Sequence, residues 1–88
     1  MNILLIYDIS EDKLRTKTSE TCKDYGLVRV QYSAFYGSMS KNLYGELQRK
    51  LKDLLKNSER SSVIIFPLSQ ESIDKVVSLD FNYSKTAI

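Results

Sequence analysis

The feature that most constrains the fold is the apolar run at residues 2–7, NILLIY, which a carboxylate, Asp8, follows at once. A continuous apolar run of this length predicts a β-strand that is covered on at least one face. An ionised carboxylate is costly to bury without a partner, so Asp8 needs a helix N-terminus, a cationic group or a metal ion. The sequence therefore predicts a first strand that ends on either a helix-capping or a metal-binding aspartate.

A first helix is expected directly after this strand. Ser10 is a favoured N-cap residue, and the two acidic residues that follow it suit the positive end of the helix dipole. Gly26 is a suitable residue just beyond the C-terminus of such a helix. The side chains expected to face the core recur every four positions, which predicts a narrow apolar stripe: Leu14, Thr18 and Cys22.

The remaining segments predict three more strands and a second helix. Residues 28–31, 33–37 and 62–66 are rich in β-branched and aromatic residues, which favours strands. Beyond Pro67, the apolar residues at 73–79 indicate a last strand, or a short helix followed by a strand, and the tail at 80–88 can pair with another strand. Ser40 is the expected N-cap of the second helix, whose stripe is formed by five leucines: Leu43, Leu47, Leu51, Leu54 and Leu55.

The element order β-α-β-β-α-β predicts a single α+β domain over residues 1–88, with a C-terminal extension. Two interleaved β-α-β units form the ferredoxin-like plait, an antiparallel sheet with both helices on one face. With no third helix to cover the other face, a second copy of the chain is the expected cover. The sequence thus favours a homodimer.

Composition excludes several kinds of site. The 88 residues contain no histidine, which rules out histidine-based zinc sites, histidine general bases and serine–histidine triads. The single cysteine, Cys22, cannot form an intramolecular disulfide, which favours a reducing, cytoplasmic location, and its spacing places it in the core. The N-terminal apolar run is too short for a membrane span and has no basic leader. A formal charge of +2 says little about anionic partners.

Several short stretches, in their order and spacing over residues 1–79, resemble the CRISPR-associated protein two family, small nucleases of CRISPR adaptation. These stretches are YDIS after the first strand, LRTK in the first helix, YGLVRVQYSAFYG across the second and third strands, and VIIFPL near the end. The resemblance implies a homodimer in which the two Asp8 carboxylates face each other and share one Mg²⁺ ion. It also implies nucleic acid and the CRISPR integrase as partners, with no membrane association.

The family's functional positions carry over residue by residue. Asp8 matches the metal-binding aspartate, with Tyr7 as its neighbouring aromatic residue. Lys17 stands where the family often has an arginine, and it keeps the charge but loses the bidentate fork. The implied catalytic residues are Asp8, Arg15, Arg29 and Ser33, and the implied substrate-binding residues are Tyr7, Lys17 and Phe35.

Simpler interpretations of the same residues stay open. Asp8 can cap or precede the first helix through its backbone amides. The arginines and Lys17 can be ordinary surface charge, and Tyr7 and Phe35 can be core or interface residues rather than a platform on which a nucleobase stacks.

Three functions follow from this comparison. The first is a metal-dependent endonuclease that cuts RNA or DNA during spacer acquisition and antiviral defence, using metal-activated water. The second is a non-catalytic adaptor that bridges the CRISPR integrase and duplex spacer DNA, with a basic stripe along the second helix tracking the backbone. The third is a toxin ribonuclease like VapD, which the QYSAFYG stretch disfavours. The stripe consists of four residues: Arg49, Lys50, Lys52 and Lys56.

Overall fold

The computed structural model describes residues 1–83. Four strands and three helices follow one another in the order that the sequence predicts, with a short helix added near the end. Their bounds are β1 Asn2–Ile9, α1 Asp12–Asp24, β2 Val28–Gln31, β3 Ala34–Ser38, α2 Lys41–Leu55, β4 Ser61–Leu68 and α3 Gln70–Asp74.

The four strands form one antiparallel sheet in the order β2-β3-β1-β4. Strand β1 lies between β3 and β4, so the two β-α-β units interleave as the ferredoxin-like plait requires. Helices α1 and α2 pack against each other and cover one face of the sheet. The predicted fold class is therefore confirmed, and β2 and β4 are the edge strands.

The core lies between the sheet and the two helices. Alternate residues of β1 are buried on this face, as the two-residue period of a strand requires. Helix α1 contributes Cys22 and α2 contributes Leu47 and Leu51, which confirms the predicted stripes at these positions. Leu43 departs from the prediction and is 42% exposed, because it lies in the first turn of α2. The buried β1 residues are Ile3, Leu5, Tyr7 and Ile9.

Two of the three predicted helix ends are confirmed. The Ser40 hydroxyl accepts a hydrogen bond from the Leu43 backbone N–H at 3.2 Å, which caps α2. Gly26 follows the C-cap of α1 with φ +86°, a conformation that favours glycine. The third prediction, Ser10 as the N-cap of α1, is wrong. The N-cap is Glu11, whose side chain makes no capping hydrogen bond.

Strands β1 and β4 are longer than the sequence pattern predicts. Strand β1 continues past Tyr7 to Ile9, because Asp8 pairs with Ser62 and Ile9 pairs with Ser61 across the sheet. Asp8 is therefore inside the strand rather than after it. Strand β4 continues through Pro67, which lacks a backbone N–H but is tolerated at the edge of a sheet.

Of the two alternatives that the sequence left open for the segment after β4, the structure has the short helix, but no strand follows it within residues 75–83. Ser69 caps the five-residue helix α3 by accepting a hydrogen bond from the Ser72 backbone N–H at 3.1 Å. Residues 75–83 form neither helix nor strand. The end of the tail that is predicted to pair with another strand, residues 84–88, lies outside the described residues.

Candidate functional site

Asp8 lies on the sheet face that the helices leave uncovered. It is exposed, whereas its neighbours Tyr7 and Ile9 are buried on the helical face. Successive side chains of a strand point to opposite faces, so the Asp8 carboxylate is directed away from the helices. It does not cap α1, which begins at Asp12 after Glu11. Within residues 1–83, no ion pair involves Asp8.

Asp8 pairs with Ser62 across the sheet, and apolar side chains occupy the rest of this open face. Across the sheet, Leu4 pairs with Phe66 and Ile6 pairs with Ile64. Ile64 is 48% exposed and Phe66 is 43% exposed, which is unusual for neighbouring large apolar residues on a small domain. The open face is therefore an apolar surface with a carboxylate at one end of its central strand.

Glu11 fixes the start of α1 against the loop before β4. Its carboxylate accepts hydrogen bonds from the Glu59 backbone N–H at 2.9 Å and from the Ser58 hydroxyl at 3.0 Å. The bond from the Glu59 N–H is the main reason that the pKa of Glu11 lies below its ordinary value. The Ser10 hydroxyl also donates to Glu11, which explains why Ser10 does not cap the helix.

Arg15 lies on α1, and its guanidinium reaches back to the end of β1. Its guanidinium donates a hydrogen bond to the Ile9 carbonyl at 3.0 Å and forms an ion pair with Asp12. One of its faces remains available, since 32% of the side chain is exposed. Lys17 is exposed on another side of α1, so the structure does not bring Lys17 and Arg15 together.

Arg29 is held between two aromatic rings. The carbon of its guanidinium lies 5.0 Å from the centre of the Phe35 ring and 6.0 Å from that of Tyr32. The guanidinium also donates hydrogen bonds to the Tyr32 carbonyl at 2.7 Å and to the Ser19 hydroxyl. Its Nε is buried and has no partner among the described residues. Arg29 therefore ties α1, β3 and the β2–β3 turn together.

The two predicted aromatic residues lie inside the protein. Phe35 has no exposed surface, so its ring cannot stack directly on a nucleobase, and that prediction is wrong. The Phe35 ring instead packs against the Tyr7 ring, with ring centres 6.2 Å apart, and lies against the Arg29 guanidinium. Burial raises the pKa of the Tyr7 phenol. Ser33 lies in the β2–β3 turn, where its carbonyl accepts a hydrogen bond from the Tyr7 N–H at 3.0 Å.

A pocket of about 260 Å³ opens between α1 and the β2–β3 turn. It gathers three of the predicted residues, Tyr7, Arg15 and Arg29, on the helical side of the sheet. Asp8 belongs to the opposite face, and Lys17 lies outside the pocket. The lining is completed by residues that the sequence analysis did not select: Thr16, Ser19, Glu20, Lys23 and Tyr32.

A helical spacing could have indicated part of this lining. Arg15, Ser19 and Lys23 recur every four residues and so share one face of α1. Tyr32 carried no such signal, because its position depends on contacts with Arg29 that no local pattern reveals.

One chain alone could supply only some of the ligands that a metal ion needs. Residues 1–83 contain no group of three or more side chains suited to metal binding. Asp8 provides one exposed, unpaired carboxylate, which is the kind of ligand that Mg²⁺ accepts together with water. One chain therefore offers a single carboxylate ligand here, and the predicted magnesium site would need a second one.

The family model for CRISPR associated protein Cas2 matches residues 1–76. The chain belongs to this family. A Cas2 protein of Desulforudis audaxviator, named a CRISPR-associated endoribonuclease, is 44% identical over 83% of this chain and 68% of its own length. A second Cas2 endoribonuclease, from Pyrobaculum aerophilum, is 33% identical over 90% of this chain and 86% of its own length.

Solved Cas2 structures share the fold. Streptococcus pyogenes Cas2 superposes with a TM-score of 0.76 at 23% identity, covering 91% of this chain and all of that one.

A relative from Thermoproteus tenax, named a fusion of the endonucleases Cas1 and Cas2, is 31% identical over 84% of this chain and 28% of its own length. None of the helices within residues 1–83 has the length and apolar character needed to cross a membrane.

Proposed function

We propose that this Cas2-family chain is a CRISPR-associated endonuclease that works as a homodimer. The observation that carries the proposal is the position of Asp8, an exposed carboxylate without an ion-pair partner in the described chain, on an apolar sheet face. The Cas2 relatives named as endoribonucleases support the reaction type, the hydrolysis of phosphodiester bonds. A cytoplasmic location, which the single cysteine favours, stays a prediction.

The open sheet face supports the homodimer. A two-fold interface places the same patch of each protomer against its copy, so apolar Ile64 and Phe66 would be covered by their counterparts. Asp8 is at the end of the same face, and the symmetry would bring the two carboxylates near each other. Like charges at close range favour binding of a cation, which makes this end of the interface suited to a metal.

The segment after α3 gives the dimer a second contact. Apolar residues alternate with polar ones along this segment, the period of a strand with one covered face. Leu79 and Phe81 are 75% and 81% exposed, and no strand within residues 1–83 pairs with the outer edge of β4. Addition of this segment to the partner's β4 would pair that edge and cover these side chains. The alternating apolar residues are Val77, Leu79, Phe81 and Tyr83.

The Asp8 pair would hold one Mg²⁺, with water completing the ligand set. When bound, the ion supplies polarisation of a phosphoryl oxygen and a lower pKa for coordinated water. Arg15, fixed to the Ile9 carbonyl beside Asp8, would neutralise a phosphate of a strand that passes the end of β1. Arg29 donates to Ser19 and Tyr32, so it would act mainly by holding the turn in place.

A non-catalytic adaptor is the second candidate. The fused Cas1 and Cas2 chain of Thermoproteus tenax favours an association with Cas1, the CRISPR integrase. Helix α2 adds a basic surface on which Arg49, Lys52 and Lys56 line a shallow depression of about 380 Å³ together with Asp53. Such a surface can follow a duplex backbone with little sequence preference and with a strong dependence on salt.

A cleavage assay tests the nuclease. Labelled single-stranded RNA and duplex DNA are incubated with dimeric wild type, Asp8→Asn and Asp24→Asn, with Mg²⁺ and with EDTA. Asp24→Asn is the matched control, because it removes another exposed carboxylate at the far end of α1. We expect magnesium-dependent cutting by wild type and the control, and none by Asp8→Asn. Equal cutting by Asp8→Asn would overturn the site, and no cutting by dimeric wild type would favour the adaptor.

A further inference from the structure

The pocket between α1 and the β2–β3 turn has a use beyond the Asp8 site. Three cationic side chains, Arg15, Lys23 and Arg29, share its lining with one carboxylate, Glu20. Lys23 is exposed and forms no ion pair with any other residue in 1–83. The pocket is therefore positively charged on balance, and at least one of its cations is available to a phosphate.

Tyr32 stands at the mouth of this pocket and is 64% exposed. Its position is nevertheless fixed, since Arg29 donates a hydrogen bond to its carbonyl and lies 6.0 Å from the centre of its ring. Arg29 is in turn supported by the buried Phe35 ring. Arg29 thus links the exposed Tyr32 ring to the buried Phe35 ring, and Tyr32 keeps accessible surface.

A held aromatic ring beside cations matches the chemistry of an unpaired nucleotide. Bases of single strands stack on aromatic side chains, while adjacent basic groups follow the phosphates. A paired base within a duplex has both faces covered by its neighbours and cannot stack on a protein ring in this way. A volume of about 260 Å³ also suits a single nucleotide rather than a duplex.

We propose that Tyr32 stacks an unpaired nucleobase while Lys23 contacts the adjoining phosphate. The subsite thereby gives the protein a preference for single-stranded nucleic acid, with little dependence on base identity. This inference rests on the proposed nucleic-acid function, but it does not depend on cleavage. Arg29 acts as the positioning residue that presents Tyr32.

Binding without cleavage tests the stacking contact. All variants are made in the Asp8→Asn background and measured in EDTA, by fluorescence anisotropy with a short labelled RNA strand and with its blunt duplex. We expect Tyr32→Ala to weaken binding of the single strand by about 5- to 100-fold and Tyr32→Phe to stay within about twofold. Leu43→Ala is the control, since it removes an exposed apolar side chain from α2 and should change neither affinity.

A salt titration tests the phosphate contact separately. For the single strand, Lys23→Gln should reduce the slope of log affinity against log salt by about 0.7, the value expected for one lost phosphate contact. An unchanged slope would overturn that contact. The stacking proposal would be overturned if Tyr32→Ala bound the single strand like the Asp8→Asn parent, if Tyr32→Phe lost as much affinity as Tyr32→Ala, or if the duplex lost affinity equally.

The two proposals fail in different ways. If wild type cuts RNA but Tyr32→Ala does not weaken binding of the single strand, the subsite is contradicted and the nuclease proposal stands. Wild type that binds single strands through Tyr32 but never cuts would contradict the nuclease and support the subsite.

Discussion

Replacing Phe66 by alanine should break the proposed dimer while the protomer stays folded. Phe66 is 43% exposed on the open sheet face. A phenylalanine side chain buries about 200 Å² when it is fully covered, so covering the exposed part removes about 90 Å² from water in each protomer. At about 25 cal/mol per Å², two symmetric copies contribute about 4 kcal/mol. Since alanine retains some of this area, we expect a dissociation constant about 100- to 1,000-fold larger.

Sedimentation equilibrium over a range of protein concentrations measures this constant directly. Leu43→Ala is a closely matched control, because Leu43 is 42% exposed but lies on α2 rather than on the open face. The control should dimerise like wild type, and circular dichroism should show that both variants keep their helices. Equal dissociation constants for the two variants would refute the assignment of the open face as the interface.

Three further predictions concern stability and the buried thiol. Glu11→Gln should lower the Tm at pH 7, because a group whose pKa is depressed in the folded state stabilises the fold at pH values above its ordinary pKa. The difference in Tm between Glu11→Gln and wild type should shrink when thermal melts are repeated at pH values below the ordinary pKa of 4.5. Leu47→Ala should cost about 2 to 5 kcal/mol in urea unfolding, as its side chain is fully buried. Burial raises the pKa of Cys22 to about 12, so iodoacetamide should label it at pH 8 only after unfolding; rapid labelling of folded protein would contradict this.

The sequence correctly predicted those features that depend on residues close together in the chain. The leucine spacing of α2 placed Leu47 and Leu51 in the core, and Ser40 and Gly26 mark helix ends through bonds and backbone angles within a few residues. The apolar run of β1 likewise placed a covered strand. In each case the deciding contact or dihedral lies close in sequence to the residue that signals it.

Features that depend on distant contacts were not predictable. Glu11, rather than Ser10, is the N-cap of α1, and its carboxylate is bound by groups at positions 58 and 59, 47 and 48 residues away. Strand β1 reaches Ile9 because β4 pairs with it.

The same distinction holds for the candidate site, where some positions follow from local sequence and others depend on distant contacts. Successive side chains of a strand point to opposite faces of the sheet, so the sequence alone could predict that Asp8 and Tyr7 lie on different faces. The placement of Arg29 between Phe35 and Tyr32 was not, because α1, β3 and the β2–β3 turn must first come together.

Two Asp8 residues are proposed to form one catalytic site, and mixed dimers test this arrangement most directly. Wild type and Asp8→Asn are combined in equal amounts, allowed to exchange subunits, and assayed for magnesium-dependent cleavage. If both carboxylates are required, only wild-type dimers cut, and the activity should fall to about one quarter of that of the same total amount of wild type. An activity of about one half would mean that each protomer acts alone, and would contradict the shared site.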